Sequence, residues 1–272
     1  MRKLIFTLCI LFFIGCSKQT IEEVPPQPVP IYEETPEPAP IVEPDPEPEP
    51  ETPPPPPAAE LPKENPVEKP SPVDPGQPMI ALTFDDGPST NTKRILDILS
   101  ANNCHATFFV PGYQLVKFDN TAKAIIEQGS EIGGHSWSHS QFTELTGGQI
   151  WLEIDDTNNA IFEATGVRPK IYRPPYGATN DMIKEISREM GMSIINWSVD
   201  SEDWKSKDAD IIYNDIMRDV KSGSIILCHD LFSTTADAME RVIPALIEEG
   251  YQLVTVTELL GELEPGKVYR YK

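Results

Sequence analysis

Short apolar segments alternate with segments of helical periodicity from Met79 to the end of the chain. Each apolar segment is four to seven residues long and is bounded by polar residues, glycine or proline, which is typical of buried strands. The predicted strands are residues 79–84, 105–110, 130–134, 170–173, 193–199, 224–228 and 252–256.

Between several of these strands, apolar residues recur every three or four positions, as they do on one face of an α-helix. The clearest stripes are Met182, Ile186 and Met190; Ile212, Ile216 and Val220; and Met239, Val242, Ile243 and Leu246. Alternating strands and helices predict a parallel sheet. Residues 79–262 are fewer than the about 250 of a complete eight-fold barrel. We therefore predict an α/β fold, a deformed (β/α) barrel of about seven parallel strands, with an open doubly wound sheet as the alternative.

The first sixteen residues have the pattern of an export signal. Arg2 and Lys3 precede an apolar run from Leu4 to Ile14, which is too short for a comfortable membrane span. The run ends at Gly15-Cys16 and resembles a bacterial lipobox, which implies cleavage before Cys16 and lipidation of that residue. An ordinary cleaved signal with an incidental cysteine is the alternative. The lipobox predicts an extracytoplasmic protein that is lipid-anchored to a bacterial membrane.

Residues 17–78 form a segment rich in proline and glutamate. Of the 29 prolines in the chain, 22 fall within residues 24–78, and residues 18–78 carry 14 acidic side chains against three lysines. Such a segment has too little apolar surface to fold, so we predict a disordered, extended stalk. The remaining chain consists of a domain, residues 79–262, and a short C-terminal tail, residues 263–272, and together they carry 29 acidic against 17 basic side chains. This charge argues against a nucleic-acid partner.

Polar residues follow the ends of five predicted strands. Asp85-Asp86 follows the first strand and His135 to His139 the third; the fourth, fifth and sixth are followed by Arg173 to Gly177, Asp200 to Trp204, and His229-Asp230. The carboxyl ends of parallel strands share one edge of a sheet, where α/β proteins place their chemistry. We expect these clusters to meet there.

Two histidines and a carboxylate could hold a metal ion at this edge. His135 and His139 are four residues apart, which on a helical turn places both imidazoles on one face. With a carboxylate from Asp85 or Asp86 they form a set that leaves coordination positions open, as catalytic metal sites do. The remaining thiols, Cys104 and Cys228, lie in apolar runs and are predicted to be buried and free, with one disulfide as the alternative.

The five clusters carry a family resemblance. In order, TFDDG, HSWSH, RPPYG, DSEDW and ILCHD resemble the five motifs of the polysaccharide deacetylase family, also called the NodB homology domain or carbohydrate esterase family 4. The resemblance extends over residues 79–262 and implies a deformed (β/α) barrel. The chain departs from the family at Gly134, where asparagine is common, and at Cys228, where larger apolar residues are common.

The resemblance also implies roles for individual residues. Asp86, His135 and His139 would hold one divalent metal, zinc first and cobalt or nickel as alternatives. Asp85 would be the general base, oriented by Arg173, and His229 the general acid, paired with Asp203 or with Asp200. The backbone N–H of Tyr176 would stabilise the oxyanion, and Trp204 and Leu227 would enclose the acetyl methyl group.

These roles define a metal-dependent polysaccharide N-deacetylase, a hydrolase of linear amides that releases acetate. An extracytoplasmic stalk and a resemblance of residues 229–259 to peptidoglycan N-acetylglucosamine deacetylases favour peptidoglycan as the substrate. A chitooligosaccharide or poly-N-acetylglucosamine deacetylase is the first alternative, and a glycan-binding surface lipoprotein without turnover is the second. We expect a monomer.

Overall fold

A computed structural model describes residues 73–272 of the chain. Strands and helices alternate along this part, with short 3₁₀ turns at Phe142–Glu144 and Pro175–Gly177. The strands are β1 Met79–Asp85, β2 Thr107–Val110, β3 Glu131–Gly134, β4 Ile171–Tyr172, β5 Ser193–Ile195, β6 Val199–Asp200, β7 Ile225–His229, β8 Gln252–Val254 and β9 Val268–Tyr269. The helices are α1 Thr92–Ala101, α2 Gly112–Gln128, α3 Gly147–Thr165, α4 Asp181–Glu189, α5 Asp203–Ser206, α6 Ala209–Asp219, α7 Ser233–Glu248 and α8 Val256–Leu260.

The strands form one sheet in the order β6-β7-β1-β2-β3-β4-β5-β9, with β8 paired to β1, and the paired strands are parallel. β6 is one edge of this order and β5 lies next to the other edge, yet only three residues separate the two strands. A chain of this length spans at most about 14 Å from Ile195 to Val199. The sheet must therefore curl until its edges approach, and the predicted deformed α/β barrel is confirmed.

The predicted strand 193–199 is divided into β5 and β6. The carbonyl of Ile195 accepts a hydrogen bond from Arg173 Nε at 3.1 Å, and the carbonyl of Asn196 accepts one from Nη2 at 3.3 Å. These carbonyls point to a side chain rather than to a neighbouring strand, so the ladder ends at β5. A periodicity of two cannot indicate such a break, because residues on both sides of it are apolar.

The segment 263–272, predicted as a tail, contributes β9 to the sheet. β9 pairs with β5, and Tyr271 forms an antiparallel bridge with Ser224 just before β7. The end of the chain thus connects β5, near one edge of the curled sheet, with the start of β7, near the other edge. A two-residue strand between glycine, lysine and arginine has too little apolar sequence to be predicted.

Side chains alternate between two apolar layers along β1. Ile80, Leu82 and Phe84 pack in the layer between the sheet and the outer helices, whereas Met79 and Ala81 pack inside the barrel. Successive residues of a strand point to opposite faces, so Asp85 also points inside. The stripe of α7 is buried as predicted, but Met182 of α4 is exposed. No helix in residues 73–272 has the length and apolar content needed to cross a membrane.

Candidate active site

Loops from five strand ends enclose one cavity at the carboxyl edge of the sheet. Its volume is about 410 Å³. It is lined by Asp85, Asp86, His135, His139, Tyr176, Trp197, Asp200, Trp204, Leu227, His229 and Phe232. The expectation that the five polar clusters meet is therefore correct. Arg173 and Asp203 lie directly behind this lining and hold two of its members.

Asp85 is buried inside the barrel and is held by Arg173. Arg173 Nη1 donates to Asp85 Oδ1 at 2.6 Å and to Thr83 Oγ1 at 2.8 Å. The guanidinium is itself fully buried and lies over the ring of Phe109 at 4.2 Å. A buried carboxylate needs a compensating charge, and the Arg173 guanidinium supplies it. The second oxygen of Asp85, Oδ2, faces His135 Nε2 at 3.8 Å.

Asp86 points toward the two histidines. The strand ends at Asp85, and Asp86 has a left-handed backbone with φ of 70°. Its Oδ1 lies 3.4 Å from His135 Nε2 and 3.2 Å from His139 Nε2. Burial raises the pKa of Asp86, but the two histidines outweigh burial and lower this pKa to about 2. Asp86 is therefore an anion at any physiological pH.

His135 and His139 lie on a loop, and the helical turn expected from their spacing is wrong. Ser136 and His139 both have left-handed backbones, with φ of 64° and 60°, and the His139 N–H donates to Ser136 Oγ at 2.8 Å. Glu153 of α3 accepts from the N–H groups of Trp137 and Ser138, each at 2.8 Å. The two rings meet because these side-chain contacts fold the loop back, not because a helix repeats every 3.6 residues.

Asp86, His135 and His139 fit a divalent metal ion. Their donor atoms all lie within 4.8 Å of one another. His135 Nδ1 lies 2.7 Å from the Arg173 carbonyl, so Nδ1 carries the proton and the lone pair of Nε2 faces Asp86. Asp86 Oδ1 is buried without a hydrogen-bond partner in residues 73–272. Burial and the neighbouring His135 lower the pKa of His139, which favours the neutral form that binds metal.

His229 lies on the other side of Asp85, on the neighbouring strand. The parallel register pairs Asp85 with His229, and both residues are at the carboxyl ends of their strands. His229 Nδ1 lies 2.7 Å from Asp203 Oδ1. Burial lowers the pKa of His229, but the hydrogen bond and charge of Asp203 outweigh it and raise this pKa to about 9. His229 is therefore an imidazolium at neutral pH.

Asp203, rather than Asp200, is the partner of His229. Asp203 is fully buried at the start of α5 and accepts two further hydrogen bonds on Oδ2, from the His229 N–H at 2.7 Å and from Thr235 Oγ1 at 2.8 Å. Asp200 instead accepts from the Glu202 N–H at 2.9 Å. Thr235 was not identified from the sequence, since a threonine in the first turn of a helix carries no distinctive pattern.

Apolar and aromatic side chains complete the cavity. Tyr176 has φ of 60° in its 3₁₀ turn, and its exposed ring contacts His139 with the ring centres 5.0 Å apart. Leu227 is buried on β7, and Trp204 is half exposed at the rim. Two lining residues, Trp197 and Phe232, were not predicted. Trp197 lies between β5 and β6, where the sequence indicates a continuous strand.

The chain is similar to known proteins in sequence and in fold. The model of the family described as polysaccharide deacetylase matches residues 73–195. A peptidoglycan-N-acetylglucosamine deacetylase of Bacillus cereus is 35% identical over 188 residues, which cover 67% of this chain and 88% of the relative. This chain belongs to the polysaccharide deacetylase family.

Two further relatives of this polysaccharide deacetylase differ in the share of their own length that the match covers. The peptidoglycan-N-acetylglucosamine deacetylase PgdA of Listeria monocytogenes is 42% identical over 192 residues, 70% of this chain but only 41% of that protein. The solved structure named T48 deacetylase with substrate has a TM-score of 0.70 and 38% identity, and covers 72% of this chain and 99% of that structure. The shared part is the barrel.

Proposed function

We propose that this protein is a metal-dependent deacetylase that hydrolyses the N-acetyl groups of peptidoglycan N-acetylglucosamine and releases acetate. Membership of the polysaccharide deacetylase family supports the reaction class. The relatives of Bacillus cereus and Listeria monocytogenes, both named for that substrate, support the choice of glycan. One observation carries the proposal. The base Asp85, held by Arg173, and the acid His229, held by Asp203, line the same cavity as the three proposed metal ligands.

Asp86, His135 and His139 are the proposed metal ligands. Two imidazoles and a carboxylate suit zinc best, with cobalt and nickel as alternatives. When bound, such an ion supplies Lewis-acid chemistry: it lowers the pKa of water toward 7 and polarises a carbonyl. The Arg173 carbonyl orients His135 for this role, and the folded loop of Ser136 orients His139.

Asp85 is the proposed general base. Arg173 occupies its Oδ1, so Oδ2 is the oxygen that faces His135, one of the proposed ligands. From this position Asp85 takes a proton from the attacking water, whose oxygen forms the new bond to the acetyl carbon. The negative charge that develops on the carbonyl oxygen is proposed to be stabilised in part by the backbone N–H of Tyr176, a residue that lines the cavity.

His229 is the proposed general acid. Its Nδ1 is held by Asp203, so Nε2 is the atom that carries the transferable proton. The C–N bond of the amide breaks as this proton moves to the departing amine, and the products are acetate and a glucosamine unit. Because Asp85 and His229 are register partners on neighbouring strands, base and acid are fixed about one strand spacing apart.

Leu227, Trp204 and Phe232 are the proposed enclosure of the acetyl methyl group. All three line the cavity beside His229, and Leu227 is buried at the register position of Thr83. A small apolar enclosure favours an acetyl group over a larger acyl group because each added methylene must find space against fixed side chains.

The chain before the barrel is proposed to place this activity outside the cytoplasm. Residues 1–16, Cys16 and most of the proline-rich stalk lie outside the described residues, so the export signal, the lipid anchor and the extended linker stay predictions from the sequence. A lipid on Cys16 would hold the domain at a membrane surface next to the glycan. A monomer is sufficient, since every proposed site residue comes from one barrel.

Acetate release from defined glycans tests the proposal. The purified domain is incubated with peptidoglycan, chitooligosaccharides and poly-N-acetylglucosamine, with and without a chelator, and the Asp85→Asn variant serves as the inactive control. We expect chelator-sensitive release, with peptidoglycan preferred. A preference for either other glycan would reassign the substrate. No release from any glycan after metal is restored would favour a binding protein without turnover.

A further inference from the structure

Asp230 is a fully buried carboxyl group that the proposed reaction does not use. It follows His229 directly and lies against the backbone of Gly87, the residue after Asp86. A β-carbon added at Gly87 would lie 2.1 Å from Asp230 Oδ1 and 2.2 Å from Oδ2. Only glycine permits this contact, because any side chain at position 87 would overlap the Asp230 carboxyl.

Further hydrogen bonds connect the same two loops. Thr92 Oγ1 donates to Asp230 Oδ2, and Ser89 Oγ donates to the Asp230 carbonyl at 2.5 Å. Thr92 Oγ1 also accepts from the Ser89 N–H at 2.7 Å. Next to them, Asn91 Nδ2 donates to the Leu231 carbonyl at 2.9 Å. The loop that leaves Asp86 is therefore attached to the loop that leaves His229 along most of its length.

A role in stability alone does not explain a carboxyl at this position. Asp230 Oδ1 has no hydrogen-bond partner in residues 73–272, and no basic side chain of this part forms an ion pair with it. A buried, incompletely paired carboxyl group costs stability relative to an apolar side chain of similar volume. What the carboxyl provides is a flat group that fits over Gly87 and an acceptor for Thr92.

We propose that Asp230 is a positioning residue that fixes the loop of Asp85 and Asp86 relative to His229. It touches neither the cavity nor the three ligands, and it acts through Gly87 on one side and through the chain of His229 on the other. The inference rests on the proposed function for its kinetic consequence. Its effect on Asp86 is measurable without turnover.

The test compares Asp230→Ala, Gly87→Ala and the double variant with the unchanged domain. The measurements are kcat and KM for acetate release, the dissociation constant of Co²⁺ from its absorption spectrum, and the thermal midpoint. We expect Asp230→Ala to lower kcat or weaken Co²⁺ binding by about tenfold or more at a temperature where it is folded, with little change in KM. Gly87→Ala alone should lower kcat and Co²⁺ affinity. It should lower them less in the double variant, where the facing carboxyl is absent.

Two further variants control for folding and for the substitution type. Gly148→Ala is the matched glycine control, because a β-carbon there meets nothing within 4 Å, and it should change neither kcat nor Co²⁺ affinity. If Asp230→Ala does not fold, Thr92→Val keeps the carboxyl but removes its donor, together with the acceptor of the Ser89 N–H, and should lower kcat to a smaller extent.

A lower thermal midpoint with unchanged kcat and Co²⁺ affinity, together with additive effects of the two substitutions, would overturn the inference. Absence of turnover in the unchanged domain would contradict the proposed function instead. The Co²⁺ and double-variant measurements would still decide the role of Asp230.

Discussion

Replacing Asp203 by asparagine is expected to move the alkaline limit of activity to lower pH. The raised pKa of His229, about 9 against an ordinary 6.5, depends on the hydrogen bond and charge of Asp203. Burial acts in the opposite direction and stays in the variant. Without the charge at position 203, the pKa of His229 should therefore fall toward its ordinary value, with only the more distant charges of Asp85 and Asp86 still raising it.

The size of the shift follows from these two values. A change from about 9 to 6.5 corresponds to about 3 kcal/mol of preference for the imidazolium, at 1.36 kcal/mol per pKa unit. For a complete return to 6.5, the protonated fraction of His229 at pH 7.5 would fall from about 97% to about 10%. The acid must hold its proton before the amine leaves, so activity falls as the pH rises through the pKa of His229 in either protein.

The assay is kcat/KM for acetate release between pH 5 and 10, for the unchanged domain and for Asp203→Asn. Asp200→Asn is the matched control, because Asp200 lines the same cavity but does not contact His229. We expect the alkaline limb to move in Asp203→Asn only. The same alkaline midpoint in all three proteins would refute the assignment of His229 as an acid whose pKa is set by Asp203.

The other predictions concern the carboxylate pair, its support and the metal. Asp86→Ala should lose Co²⁺ or Zn²⁺ binding in a calorimetric titration, whereas Asp85→Asn should keep the metal and lose turnover; the reverse result would exchange the two roles. Arg173→Met should lower the free energy of unfolding by about 3–5 kcal/mol in urea titrations, because Asp85 is left buried without its partner. That cost should be smaller in an Asp85→Asn background, and an equal cost in both would mean that packing of Arg173 dominates. A chelator should abolish acetate release, and Zn²⁺ or Co²⁺, but not Mg²⁺, should restore it, since imidazole ligands favour the transition metals; full activity without metal would contradict the proposed site.

Much of the site is predictable because its residues follow apolar strands. A short buried strand appears in the sequence as a short apolar run. The ends of β1, β3, β4 and β7 can therefore be recognised to within one or two residues. Parallel strands bring those ends to one edge, which is why the five clusters could be placed together before any coordinates. The resemblance to polysaccharide deacetylases then supplied the expected role of each residue.

Backbone conformations in the loops were not predictable. In residues 73–272, Asp86, Ser136, His139, Tyr176 and Glu202 have left-handed backbones although none is glycine, and all lie in loops at this edge. Side chains other than glycine enter this region at an energetic cost, which contacts from elsewhere in the fold must offset. The spacing of His135 and His139 therefore indicated two side chains that do meet and the wrong local structure for them.

The sequence by itself determined the alternation of strands and helices, the edge at which the chemistry gathers, and the residue types available there. Tertiary structure decided which partner each residue has: Asp203 rather than Asp200 for His229, Arg173 for Asp85, and Asp230 against Gly87. It also ended β5 at Ile195 and brought Trp197 into the cavity. Periodicity indicates only whether a position faces apolar or polar surroundings. Which distant residue becomes its partner depends on how the sheet curls.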